Sequence, residues 1–134
     1  MATIFDKIIA GEIPCYRVYE DETCLAFLDI HPCVKGHTLV IPKMSGATVF
    51  EQEDDTLRAL MIATKKTMAR IEEVLKPDGF TVGWNHGKAG GQAIDHVHIH
   101  ILPRWNNDGG KGMHGIVQNE SDIFVEEVAT LFTL

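Results

Sequence analysis

The stretch Asp95–Arg104, DHVHIHILPR, places histidine at 96, 98 and 100 with only Val97 and Ile99 between them. Successive side chains of a β-strand point to opposite faces, so the three imidazoles project from one side while Val97, Ile99 and Ile101 project from the other. The aliphatic face is the expected core face. A solvated strand face usually carries Thr, Lys, Glu or Ser, so three imidazoles there point to chemistry rather than to solvation. A metal is one option, since His-x-His brings two rings near one ion. At ~3.3 Å per residue, however, the outer Cα atoms stand roughly 13 Å apart, too far for a straight strand to deliver all three rings easily to one tetrahedral ion. Catalysis on a phosphate is the other option. Neutral imidazole is a good nucleophile toward phosphorus, and neighbouring rings can hold its tautomer, donate to phosphoryl oxygens or protonate a leaving group.

Just upstream, GKAGGQ at 87–92 sets Gly87, Gly90 and Gly91 where the backbone can approach an anion closely and offer N–H groups to it. Further out, the period of the sequence changes several times. IFDKIIAGEIP carries Ile4, Phe5, Ile8 and Ile9 at helical spacing and stops at Gly11, which predicts a short amphipathic helix. RVYE, CLAFLD and HTLVIP are β-prone runs split by turn-like segments and read as an antiparallel meander. From about Glu53 to Lys76, Leu57, Leu60, Met61, Thr64, Met68, Ile71 and Leu75 fall on one face of a long helix that Pro77 and Gly79 end. FTVGWN reads as a fourth strand and HVHIHIL as a fifth, ending at Pro103. WNNDGGKGMHG is a loop, and SDIFVEEVATLF predicts a short terminal helix with Ser121 as its N-cap. The sum is an α+β arrangement: one antiparallel sheet flanked by one long helix.

A chain of 134 residues is expected to form a single domain. With 45% hydrophobic and 23% charged residues and no apolar run near the ~20 residues needed to span a bilayer, membrane insertion is not expected. The apolar part of MATIFDKIIAGEIP is too short, and too soon broken by Asp6 and Lys7, for a signal peptide, so a cytoplasmic protein is expected. A formal net charge of −7 repels a phosphate backbone, which disfavours nucleic acid as a partner but not a single nucleotide. Cys15, Cys24 and Cys33 form no CxxC pair and are read as reduced, mostly packed thiols.

His96-Val97-His98-Ile99-His100-Ile101-Leu102, with Gly91-Gln92 before it, resembles the signature of the histidine triad (HIT) superfamily. IFDKIIAGEIP, LAFLDI and KGHTLVIPK, in that order and spacing, are similar to its Hint branch, so that the resemblance covers residues 4–105 and leaves a loop and tail at 106–134. It implies a five-stranded antiparallel sheet with one long helix, and a homodimer whose sheets join into ten strands. It implies that His98 attacks the α-phosphorus of an adenosine or other purine nucleotide derivative to give a nucleotidyl-histidine that water hydrolyses. His96 would then hold the attacking ring through a hydrogen bond, His100 would contact phosphate oxygens, and His37 would lie beside the triad. The resemblance also places the purine among Ile4, Phe5, Ile8, Phe27 and Ile30 and the ribose hydroxyls on Asp29, an acceptor-only group suited to them. Asn85 falls near the phosphate end, and Gly91 and Gln92 in the phosphate loop.

Two departures stand out. Ala93 replaces a serine that Hint proteins often carry after Gly-Gln, at a substrate-facing position. Bacterial relatives often hold structural zinc through a Cys-x-x-Cys pair, a later histidine and the first triad histidine; here Thr3, Asp6 and Ser45 stand at the first three positions, so neither zinc nor any other cofactor is expected. The implied activity is that of an adenosine 5'-monophosphoramidase, a hydrolase releasing AMP. The alternatives are a dinucleoside polyphosphate hydrolase, as in the Fhit branch that shares Leu102-Pro103-Arg104, and a nucleotide-binding module with weak activity.

Overall fold

Helix α1 (Ile4–Ile9) begins with a reciprocal cap: the Asp6 N–H donates to Thr3 Oγ1 at 3.3 Å, and the Thr3 N–H donates to Asp6 Oδ2 at 2.8 Å. Gly11 follows the C-cap with φ +80°, the left-handed conformation that ends so many helices. The computed structural model describes residues 2–119 and 124–132. After α1 come β1 (Arg17–Glu20), β2 (Cys24–Leu28), β3 (Thr38–Pro42), α2 (Asp54–Leu75), β4 (Gly79–Gly83), β5 (Ile99–Arg104) and a short α3 (Val125–Ala129). The five strands form one antiparallel sheet in the order β1-β2-β3-β5-β4, the expected α+β architecture. β1, β2 and β3 make the meander, and β5 inserts between β3 and β4, pairing Leu39 with His100 and Gly83 with His100.

Strand alternation sorts the side chains into two cores. Cys24 and Ala26 of β2, Val40 of β3, and Ile99 and Ile101 of β5, with Val97 just before it, pack beneath α2 against Leu60, Ala63 and Ile71. Leu25 and Phe27 of β2 and Leu39 and Ile41 of β3 face the other way and pack with Phe5 of α1. Each fully buried aliphatic side chain contributes roughly 1.5–3 kcal/mol relative to exposure. His96 and His98, just before β5, set their rings against Phe5 of the second core.

Several boundaries and faces differ from expectation. β5 starts at Ile99, not His96; the Val97 N–H leaves the sheet to donate to the Gly46 carbonyl at 2.9 Å, so His96 and His98 sit on an extended run-in to the strand. β4 stops at Gly83, leaving Trp84 and Asn85 in the following loop. On α2, Met61 is 56% exposed, and Ala63 and Thr67 take the buried positions instead. Phe5 of α1 covers the face that carries His96 and His98, and both are buried. Of the three free thiols Cys24 is buried, Cys15 is half-buried against the second core and Cys33 is exposed, so two of the three are packed. The expected N-cap Ser121 lies outside the described residues, and α3 leaves Phe124, Val125, Leu131 and Phe132 exposed around it. Among the described residues no helix is long and apolar enough to cross a membrane.

Candidate active site

His98 is set by its neighbours. Its Nδ1 lies 2.7 Å from the main-chain carbonyl oxygen of His96, which only accepts, so Nδ1 carries the proton and Nε2 keeps a free lone pair. The hydrogen bond between His96 and the His98 ring is thus made by the main-chain carbonyl of His96, while the His96 imidazole turns to Pro42 O at 2.8 Å. The edge-on ring of Phe5, with centroids 5.1 Å apart and planes at 77°, fixes the other side. Burial pushes His98 below the ordinary histidine value, which keeps it neutral at pH 7.

A second chain of imidazoles stands beside it. The Cys33 N–H donates to His37 Nδ1 at 3.3 Å, which leaves the His37 proton on Nε2, 2.9 Å from His100 Nδ1. His100 thus accepts at Nδ1 and presents an Nε2–H that is buried and has no partner among the described residues. Burial first, then His98 and His37, pushes His100 down to about 4. His37 is lowered too, by burial that outweighs the opposing pull of Asp29 3.6 Å away. Asp29, His37 and His100 bring ligand atoms within 4.8 Å of one another, a spacing that would suit a metal. The tautomers argue otherwise: a metal on His37 Nε2 would move the ring proton to Nδ1, against the Cys33 N–H.

His98 and His100 open onto a cavity of about 280 Å³ whose wall includes Ile4, Phe5, Ile8, Phe27, Asp29, Ile30 and Ala93. Chain segments remote in sequence thus assemble the expected apolar slot. Ile13, Pro14, Cys15, Leu39 and Ile94 also line it and carry no sequence signal of their own. Phe5 and Phe27 serve both the core and the wall, stacked edge to face at 5.7 Å. Asn85 stands elsewhere, on a neighbouring hollow of about 290 Å³ that it shares with His37, His100, Trp84, Met113 and Ile116. His100 is the residue common to both.

The glycine loop is built differently from a simple cradle. The N–H groups of Gly90, Gly91 and Gln92 close the turn onto Gly87 O and Lys88 O. Gln92 spends its side chain inside the loop, accepting from the Gly87 N–H at 2.9 Å and donating to Ala47 O at 2.6 Å and Ile94 O at 2.9 Å. It braces the loop against the segment before α2. Gly91 has φ +97°, the left-handed backbone that glycine permits, whereas a Cβ there would meet the Asn85 side chain only at an ordinary contact distance of 3.5 Å.

The zinc positions raised by the resemblance do not fit zinc. Asp6 Oδ1 accepts from Ser45 Oγ at 2.6 Å and Oδ2 closes the cap of α1, so the group offers one imidazole, one engaged carboxylate and two hydroxyls where structural zinc takes thiolates and imidazoles.

The cavity is histidine-lined, mostly apolar and set on one face of an α+β sheet, the make-up that small-molecule sites share. The sequence model of the HIT domain matches residues 10–107. An uncharacterized HIT-like protein of Methanocaldococcus jannaschii is 49% identical over 119 residues, which is 87% of this chain and 89% of that protein. The adenosine 5'-monophosphoramidase hnt1 of Schizosaccharomyces pombe is 40% identical over 113 residues, 84% of this chain and 82% of that protein. Among solved structures, a member of the HIT family from Bacillus subtilis matches with a TM-score of 0.84 at 40% identity, covering 98% of this chain and 92% of that one. The chain belongs to the HIT family.

Proposed function

We infer that this protein is a nucleotide hydrolase that attacks the α-phosphate of purine nucleotide derivatives through His98, with adenosine 5'-monophosphoramidates as its substrates. The observation that carries this reading is the unprotonated Nε2 of His98 at the wall of an apolar cavity, its tautomer held by the His96 carbonyl. The purine lies between Ile4, Phe5, Ile8, Phe27 and Ile30. Asp29, whose Oδ1 already accepts from the His31 N–H at 2.9 Å, turns its other oxygen to the ribose hydroxyls. The phosphate then sits over His98, beside Ala93, with the His100 Nε2–H donating to a phosphoryl oxygen and His37 fixing that tautomer from behind. Gly91 and Gln92 shape the loop at the phosphate end, and Asn85 approaches it from the neighbouring hollow that meets the cavity at His100.

In the first step the His98 Nε2–phosphorus bond forms as the phosphorus–nitrogen bond to the leaving amine breaks, and the departing nitrogen takes a proton from solvent. Water then attacks the same phosphorus, the histidine bond breaks, and AMP and one proton are released. The similarity to the Schizosaccharomyces pombe phosphoramidase supports the leaving-group class.

The working unit of this reading is one HIT domain, core 4–105, paired as a homodimer. β4 is a sheet edge, and Trp84, Met113 and Ile116 are exposed beside it, a combination suited to a second copy that would extend the sheet to ten strands.

Brief incubation with an adenosine phosphoramidate, acid-free quenching and intact-mass analysis should show one added AMP on His98. His98→Ala should abolish turnover while AMP still binds. A wild type that binds AMP yet turns over no such substrate would instead make this a binding module.

A further inference from the structure

Two surfaces of this chain are left without a match. Around α3, every residue from Phe124 to Phe132 is exposed. Phe124, Val128, Leu131 and Phe132 recur at helical spacing and form an apolar stripe, with Phe124 71% and Leu131 74% exposed. The other side is acidic. Glu126 and Glu127 stand in the first turn of α3, and the sequence of 112–134 adds Glu120 and Asp122 and has no lysine or arginine. A helix of five residues is marginal in water unless its apolar side is buried on something.

The second surface lies at the other end of the sheet from β4, where β1 meets the last turns of α2. There a hollow of about 360 Å³ has Ile71, Val74 and Leu75 as its apolar floor, with Val74 66% exposed. Arg17, Lys35 and Arg70 border it, and no acidic side chain lines it among the described residues. Arg17 reaches Glu20 at 2.9 Å, whereas Lys35 and Arg70 have no ion pair among the described residues. In a chain of formal net charge −7, this hollow is a local reversal of sign.

We propose that this groove receives α3 of a second copy, with the apolar stripe on Ile71, Val74 and Leu75 and the partner's Glu126 and Glu127 toward Arg17, Lys35 and Arg70. The two surfaces complement each other in charge and in apolarity at once. They also match in length: at ~1.5 Å per residue, Arg70–Leu75 and Val125–Ala129 each run for roughly 8 Å. The occupant comes from another chain, because no residue of α3 lines the groove of its own.

In a two-fold dimer the exchange is reciprocal, two helices filling two grooves. It also reaches the site. The chain that leads to α3 passes through Met113 and Ile116, which border the hollow shared with His37 and His100. Anchoring α3 on the partner holds that wall of the hollow in place.

The proposal rests on the homodimer of the functional reading and on none of its chemistry. Benzoylphenylalanine placed at Phe124, in a mixture of nitrogen-15-labelled and unlabelled chains, should on irradiation join to the peptide that holds Val74 and give products of mixed mass. A link within one chain, a link to another surface, or no link overturns the proposal, and a dimer that lacks the link leaves the functional reading standing. A link without phosphoramidate turnover overturns the catalytic reading alone. Lys35→Glu with Arg70→Glu should weaken the dimer on the order of tenfold in a sedimentation dilution series, as should Glu126→Lys with Glu127→Lys. The four changes together should restore most of the lost affinity. If they do not, these charges do not meet and the proposal falls.

Discussion

An imidazole with one proton is a donor at one nitrogen and an acceptor at the other, and at His98, His37 and His100 the partner on one side settles the role of the other side. Burial keeps all three neutral near pH 7. For His98 this means that the acid limb of kcat/KM should fall below the ordinary histidine value of 6.5, measurable in a pH–rate profile. The same shifts bear on stability. A histidine whose folded value lies below its unfolded one binds fewer protons when folded, so stability is fully present above the unfolded value and is lost as pH falls. For His100 the loss should run from about 6.5 down to about 4, read as a falling melting temperature across that window. His37→Phe removes the group that orients His100, and kcat should drop on the order of tenfold while AMP affinity holds.

At the scale of elements, β5 is the part that joins the core beneath α2 to the site. Ile101 is fully buried beneath α2 on a strand that also delivers His100 to the other face. Ile101→Ala should cost about 2–5 kcal/mol in denaturant unfolding, the range for a large-to-small change that leaves a cavity. The glycine loop answers to backbone geometry instead. Gly91→Ala forces a side chain into the left-handed region at φ +97° and should cost about 1–2 kcal/mol, with a fall in kcat because Asn85 and Ala93 flank the displaced turn. Strand and helix periods were readable wherever one residue's exposure follows from its neighbours: α2 lies within one residue of its expected ends, and Val97, Ile99 and Ile101 do form the core face. They failed where burial depends on what crosses above. Met61 has the helical spacing of a core residue, but the sheet beneath α2 meets Ala63 and Thr67 instead.

At the scale of the whole molecule, β4 ends the sheet with an edge that is unpaired among the described residues, and the exposed side chains of Met113 and Ile116 lie on the hollow that His37 and His100 share. Light scattering coupled to size exclusion should give twice the mass of the chain, and Met113→Asp with Ile116→Asp should give the monomer. A monomeric wild type at micromolar concentration would remove the dimer from the functional reading. By itself the sequence determined the α+β order of elements, the face on which the histidines stand and, through its resemblance to a family, some of the residues that line the cavity, among them Ile4, Phe5, Phe27 and Asp29. Those follow from period, turn chemistry and motif, all local along the chain. Only the tertiary structure decided which nitrogen of each ring holds a proton, that Gln92 braces a loop, and that Asp6 faces His96. Each depends on a partner far away in sequence, the Pro42 carbonyl, the Ala47 carbonyl or the first turn of α1, and a hydrogen bond is set by distance in space.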